Sequence, residues 1–129
     1  MAHVYTKHEH MNKRAYISEV DVDDKRLAEL LANDDVVYGA TQIFDALSDF
    51  TRFQILSALL EGSKSVSELQ ELCHVSQSAI SHQLRLLRDR SLVSARRSGQ
   101  RMIYSLSDDH VGLLIGIGLE HAAEPGEGE

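Results

Sequence analysis

A chain of 129 residues with net charge −7 and a single cysteine has the length of one domain with a modest core, and it excludes an internal disulfide framework. No run approaches the roughly eighteen apolar residues of a membrane span, and no signal-like segment opens the chain, so a cytoplasmic protein with no membrane partner is expected. The acidic total argues against a nucleic-acid partner, yet residues 82–101 hold six arginines (85, 88, 90, 96, 97 and 101) against one acid, Asp89. A basic block inside an acidic chain suits a phosphate-facing surface, the plainer alternative being a solvated helix face.

Residues 1–22 carry no sustained apolar period and are expected to form a flexible tail containing His3, His8 and His10. Leu27, Leu30 and Leu31 follow an acidic start and predict a short helix over 23–32. Ala40, Ile43, Phe44 and Leu47 recur at i, i+3, i+4 and i+7, one face of a second helix. The stretch SDFTRFQILSALLEG begins a third, with Phe53, Leu56 and Leu60 inward and Gly62 as its stop. Apart from Pro125 the chain has no proline, which suits a mainly helical fold.

The stretch SVSELQELCHVSQSAISHQLRLLRDR has a more specific grammar. Ser65 and Glu68 form a capping-box pattern that opens a short helix ending near Cys73. His74 and Val75 make a tight turn, and Ser76 caps a longer helix over about 77–90 whose buried side is Ala79, Ile80, Leu84 and Leu87. Short helix, turn and longer helix describe a helix-turn-helix. The exposed start of its second helix, Gln77, Ser78, Ser81 and His82, is placed to reach base edges, with Arg85 and Arg88 on the phosphate side. Two β-prone runs, 92–96 and 102–106, flank Ser98-Gly99 and predict a two-stranded wing over 92–106 bearing Arg96, Arg97 and Arg101. The fold class is therefore mainly α (α+β): a winged helix-turn-helix with a two-stranded wing and a C-terminal dimerisation helix over 108–124. Residues 23–124 form the domain and 125–129 a short tail. The expected partner is a double-stranded DNA operator.

These motifs resemble the ArsR/SmtB family of bacterial winged-helix, metal-sensing repressors. The carrying segments are ALSDFTRFQIL (46–56), VSQSAISHQLRLLRDRSLV (75–93), SGQRMIYSL (98–106) and the Asp108–Glu124 region. The likeness covers roughly 36–124, and the first 35 residues lie outside it. Phe50 departs from the family, which usually has proline after Ser-Asp; a changed helix start is expected, not a changed fold. The resemblance implies a homodimer, an inverted-repeat operator near metal-resistance genes, and repression that metal relieves.

The last helix carries metal-ligand residue types at both ends: Asp108 and His110, then His121 and Glu124. At about 100° per residue His110 and His121 face nearly the same way, but a rise of about 1.5 Å per residue sets them roughly 16 Å apart. Zinc holds its ligands at about 2.0–2.3 Å, so one chain cannot supply all four. Two copies packed antiparallel about a two-fold axis bring His110 to the partner's His121 and Asp108 to the partner's Glu124 in one register. That register also sets Gly116 against its own copy and Gly112 near the partner's Gly118, so close backbone approach is expected there. Two imidazoles and two carboxylates suit tetrahedral Zn2+, with Co2+ as its mimic. The same four positions match the zinc site that the resemblance implies.

In family relatives the histidine matching His121 bonds into the segment between recognition helix and wing, here near Ser91. Relatives that sense softer metals use several thiolates ahead of the helix-turn-helix, and residues 50–61 contain none. Cys73 is expected to be a small buried residue, with redox chemistry as its alternative. His3, His8 and His10, with the Ala2 amine if Met1 is removed, could add ligands for Ni2+ or Co2+, as some relatives do; a solvated tail is the alternative. A winged-helix repressor without metal control and a metal buffer are the rival functions. An enzyme with a small-molecule substrate is not expected, since HExxH, phosphate-loop and nucleophile motifs are missing from the sequence.

Overall fold

The computed structural model describes residues 23–126. Helix α1 (Asp24–Leu31) opens where Asp23 accepts the Arg26 N–H at 2.7 Å, and α2 (Asp34–Leu47) opens where Asn33 accepts from Asp35 and Val36. These caps hold N–H groups that lack a partner in the first helical turn. α2 begins at Asp34, well before the apolar period that announced it, because its first turn is acidic and capped. α3 (Phe50–Ala58) follows, with Asp49 accepting the Arg52 N–H at 3.0 Å. Phe50 stands at the first helical position, where proline is favoured but not required; the cap starts the helix there and the ring stays 78% exposed.

β1 (Lys64–Ser65) leads into α4 (Val66–Cys73), α5 (Gln77–Asp89), β2 (Val93–Ser98), β3 (Arg101–Leu106) and α6 (Asp109–Ala123). The wing gains a third strand: β1 pairs antiparallel with β3, Lys64 opposite Tyr104 and Ser65 opposite Ile103, giving the order β1-β3-β2. Gly99 takes φ +66 as the first residue of the two-residue turn between Ser98 and Arg101, a position that asks for glycine in a tight hairpin.

The core joins Ile55 and Leu56 of α3, Leu69 of α4, Ile80, Leu84 and Leu87 of α5, and Ile115 of α6, all without solvent exposure. Within α3 the inward pair is Ile55 and Leu56; Phe53 and Leu60 are half-buried at its edge. α1 buries nothing, and Leu27 and Leu31 stay exposed. Among the described residues no helix is long and apolar enough to cross a membrane.

Candidate functional site

The helix-turn-helix is built from local chemistry. Ser65 Oγ accepts the Glu68 N–H at 3.3 Å while Glu68 Oε1 accepts the Ser65 N–H at 2.8 Å, a complete capping box. α4 ends at His74, which adopts a left-handed φ of 55 and donates its N–H to the Gln70 carbonyl, turning the chain toward α5. Ser76 Oγ then accepts the Ala79 N–H at 3.1 Å and fixes the start of α5. Ile80, Leu84 and Leu87 seat α5 on the core, so Gln77, Ser78, Ser81, His82, Arg85 and Arg88 all lie exposed on its outer side. α5 closes at Ser91, a non-glycine residue at φ 59, with the Leu92 N–H reaching back to the Leu87 carbonyl.

The six arginines divide by their partners. Arg85 and Arg88 on α5, and Arg96 and Arg97 on β2, are exposed. Arg96 sits opposite Ile103 and Arg97 opposite Met102, so the two point to opposite faces of the wing and straddle it. Arg101 lies at the tip, but its Nη2 is 3.5 Å from Glu68 Oε1. Arg90, counted in the basic block, is half-buried and donates to Gln42 Oε1 on α2. Glu68 is held ionised: its carboxyl titrates below the ordinary value because of the Ser65 backbone and side-chain hydrogen bonds, aided by Arg101 and Lys64.

The four expected metal ligands fall at the two ends of α6. Asp108 is the N-cap, its Oδ1 accepting the Val111 N–H at 3.1 Å, which leaves Oδ2 for another bond. His110 is exposed. At the far end His121 Nδ1 lies 3.6 Å from Glu124 Oε2, so the i, i+3 pair already shares a face. Among the described residues of this single chain no three His, Cys, Asp or Glu side chains converge. His3, His8 and His10 lie outside the described residues.

Burial revises what lies between those ends. Val111 and Ile115 join the chain's own core, Gly112 and Leu113 are buried as well, and a Cβ placed on Gly118 would meet Phe53 Cζ of the same chain at 3.8 Å, an ordinary contact. Gly112 is thus enclosed within the protomer, whereas Gly118 stays exposed. At about 100° per residue the stripe away from the core is His110, Leu114, Ile117 and His121. Leu114 and Ile117 are half-buried, and the register that faces His110 with the partner's His121 also faces Leu114 with the partner's Ile117.

Cys73 is buried, and burial pushes its thiol above the ordinary value. It borders an open groove of about 630 Å³ lined also by Leu47, Phe50, Phe53, Leu72 and Leu119. The groove's one carboxylate, Asp49, caps α3 through Oδ2. The polar contacts of Gln42, Arg52, Gln83 and Arg90 were not anticipated. Their only trace in the sequence is the spacing of Gln83, Leu87 and Arg90 at i, i+4 and i+7, a stripe at the border of α5's polar side.

Comparison with known proteins follows the same outline. Residues 49–95 match the family described as bacterial regulatory protein, arsR family. A transcriptional repressor SmtB homolog from Synechocystis is 42% identical over 83 residues, covering 64% of this chain and 63% of that protein. The match thus spans less than two thirds of that relative. A cadmium resistance transcriptional regulatory protein CadC homolog from Staphylococcus aureus is 37% identical over 84 residues, 64% of this chain and 69% of that one. Among solved structures, the homodimeric winged helix-turn-helix DNA-binding domain Mb0332 from Mycobacterium bovis aligns with a TM-score of 0.64 at 25% identity, covering 78% of this chain and 87% of that one.

Proposed function

The chain belongs to the bacterial arsR family of regulatory proteins, and from that premise we propose that it is a homodimeric, metal-responsive repressor that binds an inverted-repeat operator and leaves it when Zn2+ binds. The observation that carries the metal half is the outward stripe of α6, which sets His110 and His121 on one face with Leu114 and Ile117 between them. The names of the relatives, one a repressor and one a cadmium-resistance regulator, agree with this.

Dimerisation is supported by apolar side chains that one chain leaves open: Tyr38, Phe44, Phe50 and Leu119 are 66%, 58%, 78% and 44% exposed. So much apolar surface calls for a partner. In the dimer each α5 offers Gln77, Ser78, Ser81 and His82 to a major groove while Arg85, Arg88, Arg96 and Arg97 hold phosphates and Arg101 stays with Glu68. Asp108 and His110 with the partner's His121 and Glu124 would hold Zn2+, which when bound supplies a cross-link between the protomers. The donor set fits, since the His121–Glu124 pair is already assembled and Asp108 keeps one oxygen free of its capping bond. Leu114 and Ile117 hold the two α6 helices in register, and the dimer shape so fixed no longer suits the operator. Coupling of this kind is typically about 1–3 kcal/mol and reciprocal, so DNA weakens metal binding by the same factor.

The test uses a duplex selected from a random library by the apo protein. Stoichiometric Zn2+ should release wild type, whereas His110→Ala and His121→Ala should bind the duplex as wild type does and ignore the metal. Variants that still dissociate would overturn the ligand assignment. A wild type that ignores Zn2+, Co2+ and Ni2+ alike would make the protein a repressor without metal control. Cobalt(II) absorption separates a four-coordinate site from a six-coordinate one that has recruited the N-terminal histidines.

A further inference from the structure

Arg90 belongs by sequence to the basic block but not by contact. It ends α5, is half-buried, and its Nη1 donates to Gln42 Oε1 on α2. A second polar link runs beside it. Arg52 on α3 donates from Nε to the Ala46 carbonyl of α2 at 2.8 Å and from Nη1 to Gln83 Oε1 of α5 at 3.3 Å. Gln42 and Ala46 are one turn apart on α2; Gln83 and Arg90 are two turns apart on α5, with fully buried Leu87 between them. The backbones of α2 and α5 do not lie along one another, so these long side chains span the gap.

The place where Arg90 is held matters. The next residue, Ser91, reverses the chain at φ 59, and by Val93 the wing has begun. Gln42 therefore grips the common root of recognition helix and wing. On the face turned away from Gln42, at about 100° per residue, α2 presents Val37 and Phe44 to solvent, apolar surface that a second copy covers in the proposed dimer. One helix thus faces both the partner and the reading head.

We infer that the Gln42–Arg90 hydrogen bond, braced by Arg52, is a strut that carries a change in dimer geometry from α2 to α5 and the wing, and that Arg90 is a positioning residue, not a phosphate contact. The regulatory part rests on the proposed function for what displaces α2. A directional side-chain bond is either kept, so that α5 follows α2, or broken, so that it does not. Without it, α2 moves and the reading head stays.

The test compares wild type, Gln42→Ala, Gln42→Glu and Arg90→Gln as full-length proteins on the selected duplex. Wild type should lose roughly 5- to 150-fold in operator affinity when Zn2+ is added. Gln42→Ala should keep its zinc affinity and its apo operator affinity, yet respond by less than about threefold, well under that range. Gln42→Glu keeps the acceptor and should restore the response; a merely structural role would shift stability without this split. Arg90→Gln should leave the salt dependence of apo binding unchanged, where loss of a phosphate contact in each protomer would lower the slope by about 2. Full zinc response in Gln42→Ala, or a lowered slope in Arg90→Gln, overturns the strut. A wild type deaf to every metal would instead bring down the proposed function, and the strut as a regulator with it.

Discussion

Salt dependence offers the sharpest measure of the DNA interface, because the contacts divide the arginines into free and engaged. Arg85, Arg88, Arg96 and Arg97 are exposed, whereas Arg90 is bonded to Gln42 and Arg101 lies 3.5 Å from Glu68. Four free arginines per protomer give about eight phosphate contacts per dimer, and at about 0.9 per contact the slope of log K against log salt is near −7. Were all six engaged with phosphate, it would be near −11. A slope of −7 means loss of about four decades of affinity between 50 and 200 mM salt, readily followed by fluorescence anisotropy on the selected duplex. Arg97→Ala removes one contact per protomer and should bring the slope to about −5. Glu68→Gln should act in the opposite sense: with its ion pair removed, Arg101 becomes available and the slope steepens by up to about 2. A wild-type slope shallower than about −3 would show that the basic block is not the phosphate surface. A slope near −11, untouched by Glu68→Gln, would show that DNA displaces the internal partners.

Three further outcomes test the scaffold. Ser65→Ala removes a cap whose oxygen is buried with its residue 3% exposed; the expected loss is about 1 kcal/mol, or a fall of roughly 4–8 °C in Tm for a domain of this size. Because the Glu68 carboxyl titrates below its ordinary value, its contribution is present above the ordinary carboxylate range and is lost as pH falls through the lowered value; Glu68→Gln should therefore melt with a weaker acid dependence than wild type. Cys73, buried and with its thiol pushed upward, should react with iodoacetamide far more slowly in the native protein than in denaturant, and equal rates would contradict its burial.

How much of this was legible follows from how far each feature reaches along the chain. The capping box, the Ser76 cap and the apolar face of α5 could be read because every partner lies within a few residues. The hairpin could be read because Gly99 marks its turn. β1 could not: two residues have no period, and they form a strand only because β3 offers them an edge. The partner of Arg90, counted in the basic block, could not be read for a similar reason. The arginine's charge is local, but its partner Gln42 is 48 positions away, and only its spacing from Gln83 and Leu87 sets it apart from Arg88.

The last helix shows a subtler failure. Its glycines pointed to a close helix crossing, since glycine weakens a helix and needs a reason to be there. Burial supplies a different reason at one of them: Gly112 is enclosed within the protomer, while Gly118 is exposed with Phe53 in ordinary contact range of a Cβ placed on it. The contact left for a second copy is then Leu114 against the partner's Ile117. In the proposed dimer one register would serve both that apolar pair and the His110 pairing at each end, so the proposed ligands would meet only where the aliphatic contact forms. On that proposal, dimer geometry and metal binding are two readings of a single helix alignment. That alignment would reach DNA only through the rest of the protomer, and the Arg90–Gln42 hydrogen bond is the link to the reading head that the proposed strut uses.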